Sequence, residues 1–294
     1  MDDDAAFIEQ CRAAVERRLA DLTPEQPGRT RRLVEAARYA LLAPGKRFRP
    51  MLTLLAAREF GADPATAMDA ACAFEMVHTA SLILDDLPCM DDAALRRGRT
   101  TTHRQFDEAT AILASVALLN RAQGVIAGDA GLSTSVRAEL AGRLSEAVGF
   151  EGLVGGQAMD LDDRARERTA AELDLLNHRK TGVLIVAAAE AGALIAGAAP
   201  ESVLQVGIFA RHLGLAFQIQ DDLIDVLGGA DAGKDLGKDA QMTTLVSVLG
   251  VEGAREAVID HLARAEAALV AAGARQRLLA PYVMGLFEAR KAAA

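Results

Sequence analysis

An all-α fold is predicted by three features of the sequence. Ala and Leu are abundant, aromatic residues make up 4% of the chain and Trp is absent, a composition rich in helix formers and poor in strand formers. Apolar residues recur at helical spacing in one segment after another, with Gly, Pro or charged turns between the segments. No Pro/Ser-rich linker or composition shift divides the 294 residues. A single large helical domain over 1–294, of about ten helices, is therefore expected.

The first amphipathic pattern carries Phe7, Ile8, Cys11, Val15 and Leu19 and ends between Pro24 and Gly28. A second carries Leu33, Ala36, Ala37, Ala40 and Leu41 before Pro44-Gly45 breaks it. Pro50 suits the first turn of a third helix, which Gly61 closes. Asp63-Pro64 reads as the N-cap and first-turn proline of a fourth. That segment is apolar nearly all round to Leu84, the mark of a central buried helix, and it stops at Asp85-Asp86. Further patterns cover 108–127, 134–149, 172–196, 201–227 and 255–271. The apolar run from Val183 to Ala199 contains Glu190 and falls short of the roughly 20 residues of a membrane span, so it reads as a core helix and no span is expected.

A 51% hydrophobic share makes a foldable globular chain. With 32 Lys+Arg against 41 Asp+Glu the formal charge is −9, which argues against nucleic-acid binding, since phosphate neutralisation needs a basic face. The acidic start Met-Asp-Asp-Asp is unlike a secretory signal or organelle presequence, so a cytoplasmic location is expected. Three cysteines, Cys11, Cys72 and Cys89, lack C-x-x-C spacing and exclude both a disulfide scaffold and a Cys-based zinc site.

The chemistry is concentrated in two acidic clusters, each at the C-terminal end of a long apolar helix. In the second, Asp221 and Asp225 are four residues apart and share one helical face. Like charges repel there and the helix dipole adds negative potential, so the arrangement costs stability unless a cation occupies it. Hard oxygen ligands suit Mg²⁺. In the first, Asp85 and Asp91 are six apart and do not share a face of a continuous helix. Pro88 disfavours helical geometry at Leu87, so the chain is expected to leave the helix there and curl Asp91 back toward Asp85.

Magnesium held by one or two carboxylates usually bridges to a substrate phosphate. Basic groups able to clamp a polyanion occur at Lys46, Arg47 and Arg49, at Arg96, Arg97 and Arg99, at His178, Arg179 and Lys180, and at Lys234 with Lys238. Other phosphate motifs fail: the stretch from Gly228 to Lys234 matches Gly-x₄-Gly-Lys, but Asp235 replaces the Ser/Thr of a P-loop and a helix pattern, not a strand, precedes it.

Gly45 to Pro50, Glu75 to His78, Ser81 to Asp92, Leu95 to Gly98, Lys180-Thr181 and Phe217 to Asp225 resemble, in order and spacing, the motifs of the trans-isoprenyl diphosphate synthases. The likeness runs from about Arg31 to Gly250 and is greatest to bacterial carotenoid-pathway geranylgeranyl diphosphate synthases. It implies the isoprenoid synthase fold, all-α around a deep central cavity, in a homodimer that condenses isopentenyl diphosphate with an allylic diphosphate. By this resemblance Asp85, Asp91 and Asp221 hold Mg²⁺ on the allylic diphosphate, with Asp86 and Asp225 in or near that shell. Arg96, Lys180, Thr181, Gln218 and Lys234 contact the same substrate, while Lys46, Arg49, His78 and Arg97 bind isopentenyl diphosphate. The allylic C–O bond ionises, the cation alkylates the second substrate, and the released diphosphate takes the proton. Two positions depart from the family pattern: Met242 stands where a second phosphate lysine is usual, and Thr101 replaces the usual proline, which should affect only loop rigidity.

The growing chain should run along the helix that ends at Asp85, so residues one turn back set its clearance. Those are Ala80 and Ser81, both small, with Met76, Val77 or Phe74 as a deeper floor. Geranylgeranyl diphosphate is the expected product. A farnesyl or longer-chain synthase is the alternative, and a non-catalytic subunit of another prenyl synthase is a reading from a different class. Ser81→Phe is expected to shorten the product; chromatography showing unchanged product length would contradict this pocket.

Overall fold

The computed structural model describes residues 2–162, 169–227, 244–275 and 278–293. It is helical almost throughout, with thirteen α-helices among the described residues and one two-stranded hairpin. The described residues fall into two compact units, one of residues 2–54 and 63–142, the other of 55–62, 143–162, 169–227, 244–275 and 278–293. The chain passes from one to the other after residues 54, 62 and 142, so neither unit is one contiguous stretch.

The helices at the N-terminal end of the chain are α1 (Asp2–Leu22), α2 (Arg31–Leu41), α3 (Phe48–Glu59), α4 (Met68–Asp85), α5 (Thr102–Gln105) and α6 (Glu108–Gly128). Asp63 caps as expected, its side chain accepting the Ala65 amide, but what it caps is a short 3₁₀ turn, Pro64–Ala67, from which α4 continues. The first unit is organised around α4, which packs against α1, α2 and α6. Its residues from Ala70 to Val77 are buried on every side, as the all-round apolar sequence predicts. Arg18 of α1 pairs with Asp69 at 2.6 and 2.8 Å, and Ser115 of α6 donates to the Ala80 carbonyl at 2.9 Å. Strands β1 (Leu95–Arg96) and β2 (Arg99–Thr100) form a hairpin that the helical composition gave no reason to expect. Its two turn residues, Arg97 and Gly98, have φ of +54° and +71°, the backbone that a two-residue hairpin turn of type I′ requires.

The remaining helices are α7 (Thr134–Val148), α8 (Leu153–Asp162), α9 (Ala170–Asn177), α10 (Val183–Ile195), α11 (Pro200–Leu227), α12 (Leu245–Ala271) and α13 (Leu279–Ala293). The pattern read as one helix over 172–196 is interrupted by a π turn, His178–Gly182, between α9 and α10. The pattern read over 255–271 is the later part of α12, which bends where Gly250 adopts φ +73°. In the second unit α11 packs along both α10 and α12. Ile219 and Leu223 of α11 are buried with Leu173, Leu245, Val246 and Ala254. Buried Glu59 accepts the Leu278 and Leu279 amides at 2.7 and 2.8 Å, placing a carboxylate at the otherwise unsatisfied N-terminus of α13.

Among the described residues three segments, Pro64–Asp85, α6 and α11, are long and apolar enough to cross a membrane by length and composition. The criterion that set aside the run from Val183 to Ala199 does not set these aside. Most of the apolar window in the first and third is buried by packing inside the protein.

All five histidines sit where burial depresses their basicity: His78, His103, His178, His212 and His261 are each held below the ordinary histidine pKa, with neighbouring arginines or a second imidazole adding to the effect. His212 of α11 and His261 of α12 meet head-on, Nδ1 to Nδ1 at 3.0 Å, which needs at least one neutral ring. A depressed histidine binds its proton more readily in the unfolded chain, so stability is lost as pH falls through the unfolded value near 6.5. Burial raises Asp86 and Asp174, which oppose this loss only as pH falls through their own elevated range. Calorimetry between pH 7.5 and 5.5 is expected to show a falling Tm, and His261→Gln a shallower fall.

Candidate active site

In the first unit the site is built on the far end of α4 and the loop that follows. The helix ends at Asp85, and the chain then curls as expected, the Asp91 amide donating to the Asp85 carbonyl at 2.9 Å. The Asp92 amide reaches the Leu87 carbonyl at 3.0 Å and that of Ala93 reaches Asp86 at 3.2 Å, so the loop is closed onto the last helical turn. Asp92 is left in the left-handed region, φ +44°. Thr101 holds the base of the adjoining hairpin, its amide on Ala94 at 3.1 Å and its buried hydroxyl on Ala93 at 2.8 Å. A proline there has no amide to donate, so Thr101 fixes the loop by hydrogen bonds instead of by ring geometry.

Arg96 reaches back from β1 to Asp86, donating from Nε at 2.8 Å and from Nη2 at 2.5 Å, and its Nη2 lies 3.7 Å from Asp85. Burial pushes the Asp86 carboxyl above the usual carboxylate range, against the pull of Arg96, and Asp85 and Asp91 add repulsion. Asp86 is 3% exposed, so it braces Arg96, while Asp85 is only half-buried.

About 10 Å earlier along α4, by its rise over seven residues, a second and oppositely charged group gathers around Glu75 and His78. Arg47 is buried, with φ +48°, and donates to Glu16 at 2.6 and 3.0 Å, to Glu75 at 2.9 Å and to the Ala43 carbonyl at 2.8 Å. Burial opposes its charge, but the two carboxylates outweigh that and raise its pKa. Arg97 Nη2 lies 3.6 Å from the same Glu75 oxygen. Its guanidinium lies against Gly45, where a Cβ would come within 3.0 Å of it and make it shift. Arg49 is buried, its Nε has no hydrogen-bond partner, and burial and the like charge of Arg97 push its pKa down to about 10. Burial also lowers Arg97. His78 is held well below the ordinary range by burial, then by Arg49, Arg97, Arg96 and Arg47. Lys46, the residue before Arg47, is exposed. Guanidiniums that are desolvated and crowded in this way gain stability from an added anion.

Of the residues expected to set product length, Met76, Val77 and Ala80 are buried. Ser81 is half-buried and donates to the His78 carbonyl at 2.8 Å, on the face that leads to Asp85.

The second unit carries the other expected residues. Asp221 and Asp225 both lie in the last two turns of α11, sharing a face as their spacing predicts. Burial of Ile219 and Leu223 on the opposite side turns that face outward. Gln218 donates to Asp222 at 3.0 Å. Lys180 and Thr181 lie in the π turn, an arrangement found frequently at functional sites. Lys180 Nζ donates to Asp160 of α8 at 2.8 Å, and Asp160 is 6% exposed. α8 approaches this closely because residue 156 is glycine, where a Cβ would come within 2.5 Å of the Lys180 amide nitrogen. Lys234 and Met242 lie outside the described residues.

Sequence reading passed over Glu16, Asp160 and the carboxylate role of Glu75. For Glu75 a signal existed: a carboxylate in the middle of an apolar helix must be paired if buried. Among the described residues no three acidic, His or Cys side chains converge closely enough to hold a metal by themselves. The donors present in each unit, Asp85 and Asp91 at the end of α4 in the first and Asp221 and Asp225 at the end of α11 in the second, are hard oxygens of the kind that suit an ion completed by substrate oxygens and water.

The chain is 44% identical over 293 residues to geranylgeranyl diphosphate synthase of Pantoea ananas, covering 99% of this chain and 95% of that one. It is 42% identical over 265 residues to farnesyl diphosphate synthase of Geobacillus stearothermophilus, covering 88% and 89%. A solved geranyltransferase from Helicobacter pylori, complexed with magnesium and isoprenyl diphosphate, matches with a TM-score of 0.84 at 29% identity over 97% of each chain. With residues 30–270 matching the polyprenyl synthetase family model, the acidic helix ends and the guanidinium group fall on a known framework, and the chain belongs to the polyprenyl synthetase family.

Proposed function

We propose that the chain is a Mg²⁺-dependent trans-prenyltransferase that joins isopentenyl diphosphate to an allylic diphosphate, with geranylgeranyl diphosphate as product and farnesyl diphosphate as the alternative. The layout of α4 carries this reading. One helix presents a group of desolvated guanidiniums around Glu75 and His78 and, two turns later, the acidic turn of Asp85 and Asp91. The first suits a bare diphosphate and the second a diphosphate that arrives with metal, which is what two different prenyl diphosphates in one reaction require.

Arg49, Arg97 and His78, with Lys46 at the rim, bind the isopentenyl diphosphate; His78 is neutral and serves as a hydrogen-bond donor. Asp85 and Asp91 at the end of α4 and in the loop after it, and Asp221 and Asp225 on α11, would hold Mg²⁺, and Lys180, Thr181 and Gln218 would meet the allylic diphosphate. Magnesium, when bound, neutralises charge that develops on the departing diphosphate. Arg96, fixed on Asp86, and Lys180, fixed on Asp160, hold two cations in place beforehand, so little reorganisation is needed as that charge develops. The small side chains of Ala80 and Ser81 favour the longer product. A homodimer is part of the proposal: on α6, Ile112, Leu113 and Val116 are 41%, 58% and 55% exposed, an apolar stripe that a second copy would cover.

Incubation with isopentenyl diphosphate and each allylic primer, with Mg²⁺ or with a chelator, followed by product mass, tests activity, metal dependence and length together. Asp85→Asn and Asp221→Asn are each expected to lower kcat roughly 100-fold or more, the several kcal/mol of a lost metal contact. Unchanged turnover would reduce these aspartates to solvated helix ends. Leu113→Glu is expected to convert the dimer to a monomer in light scattering; a parent that is already monomeric would remove the dimer from the reading.

A further inference from the structure

The cations assigned to isopentenyl diphosphate are tied to a chain of alternating charges that runs back to α1. Glu16 of α1 has a partly exposed side chain and takes two hydrogen bonds from Arg47. Arg47 is buried and spans to Glu75, which is 1% exposed. Glu75 Oε1 is the atom that Arg97 Nη2 faces at 3.6 Å, and the same carboxylate favours the charge on Arg49. A carboxylate buried this deeply depends on its cationic partners to offset the cost of desolvation. Arg47 forms no part of the substrate machinery, since its guanidinium is already occupied by Glu16, Glu75 and the Ala43 carbonyl.

Arg97 leaves its hairpin at a positive φ and has Gly45 beneath its guanidinium, so backbone and packing bring it to the right region without fixing which way its nitrogens point. The carboxylate of Glu75 supplies that direction, and Arg47 supplies the direction of Glu75. We infer that Glu16 and Glu75 are positioning residues for the isopentenyl-diphosphate side of the site: Glu16, through Arg47, orients the Glu75 carboxylate, which aims Arg97 and offsets the repulsion between Arg97 and Arg49 before substrate arrives. This rests on the prenyltransferase reading and adds to it two acidic residues that touch no substrate.

The test is steady-state kinetics of Glu16→Gln and Glu75→Gln, with both substrates varied and inorganic pyrophosphate as a competitor. Glu16→Gln, on the partly exposed end, should fold normally even if Glu75→Gln does not. It is expected to raise KM for isopentenyl diphosphate about tenfold, the scale of one charge-assisted hydrogen bond, with kcat and the allylic KM within about twofold of the parent. The inhibition constant of pyrophosphate competing with isopentenyl diphosphate should rise in parallel. Glu16→Asp, which keeps the charge, should recover most of the loss. Glu75→Gln, where it folds, should show a larger effect on the same parameter. The inference is overturned if Glu16→Gln leaves both KM values unchanged, or if kcat, both KM values and Tm all deteriorate together, which is the signature of general loosening. A parent enzyme that forms no prenyl product would overturn the prenyltransferase reading itself and this inference with it.

Discussion

Much of the first unit depends on one buried guanidinium. Arg47 is 1% exposed, sits in a backbone conformation that few side chains adopt, and uses its donors on three different parts of the chain. Replacing it by an uncharged residue would strand Glu75 inside an apolar helix with only the more distant Arg97 and Arg49 to oppose its charge, and a stranded buried charge is among the most costly defects a protein can carry. The same pairings link α1 to α4 and anchor the turn before α3, so the fold and the cation group have a common support. A strained φ at residue 47 persists because the surroundings over-determine it.

The two charged groups on α4 solve opposite electrostatic problems by different means. At the acidic end, like charges are kept close by backbone hydrogen bonds from Asp91, Asp92 and Ala93 into the last turn of the helix, and Arg96 relieves part of the repulsion from the side. At the basic end, the guanidiniums cannot be held by backbone, since long side chains leave several torsions free; a shared carboxylate and a glycine floor do the work instead. In both places a counter-charge is built into the group, Arg96 at the acidic turn and Glu75 among the guanidiniums. The π turn repeats the device in the second unit, where Asp160 holds the ammonium of Lys180.

What could be read in the sequence follows the range of the interactions. The all-α class, the burial of α4, the curl of Asp91 toward Asp85 and the shared face of Asp221 and Asp225 are set by residues within a few positions of one another, and each appears in the structure as expected. The buried ion pairs join residues 28 apart in Arg47 and Glu75, 31 in Arg47 and Glu16, and 20 in Lys180 and Asp160, and no local pattern encodes such pairings. The hairpin at 95–100 was hidden for a different reason. Arg97-Gly98 is a turn signal, but strands of two residues leave no alternation to detect. The π turn was hidden because the apolar periodicity of 172–196 continues through it, and one extra residue in a turn changes the phase too little to show in so apolar a segment.

The dispersal of the acids has a consequence for the order of events in the proposed reaction. A cage of three or more carboxylates would hold a divalent ion in the absence of substrate, and the ion would then meet a diphosphate with few positions left to offer. In neither unit do three such groups converge among the described residues. Magnesium keeps several waters and binds through one or two carboxylates when a phosphate completes its shell, so an arrangement of this kind ties metal affinity to the presence of the allylic diphosphate. The isopentenyl side, built from guanidiniums, has no such requirement, because its charges are permanent at any pH near neutrality. In the proposed reaction, discrimination between two substrates that share a diphosphate head would come from the means of neutralisation. The acidic turn, with metal, would take the diphosphate that must leave, and the fixed guanidiniums would take the one that must stay attached. A leaving group needs charge stabilisation that grows as the bond breaks, whereas a spectator diphosphate needs only to be held, and in the proposed reaction the acidic turn after α4 and the guanidinium group around its middle would meet those separate demands.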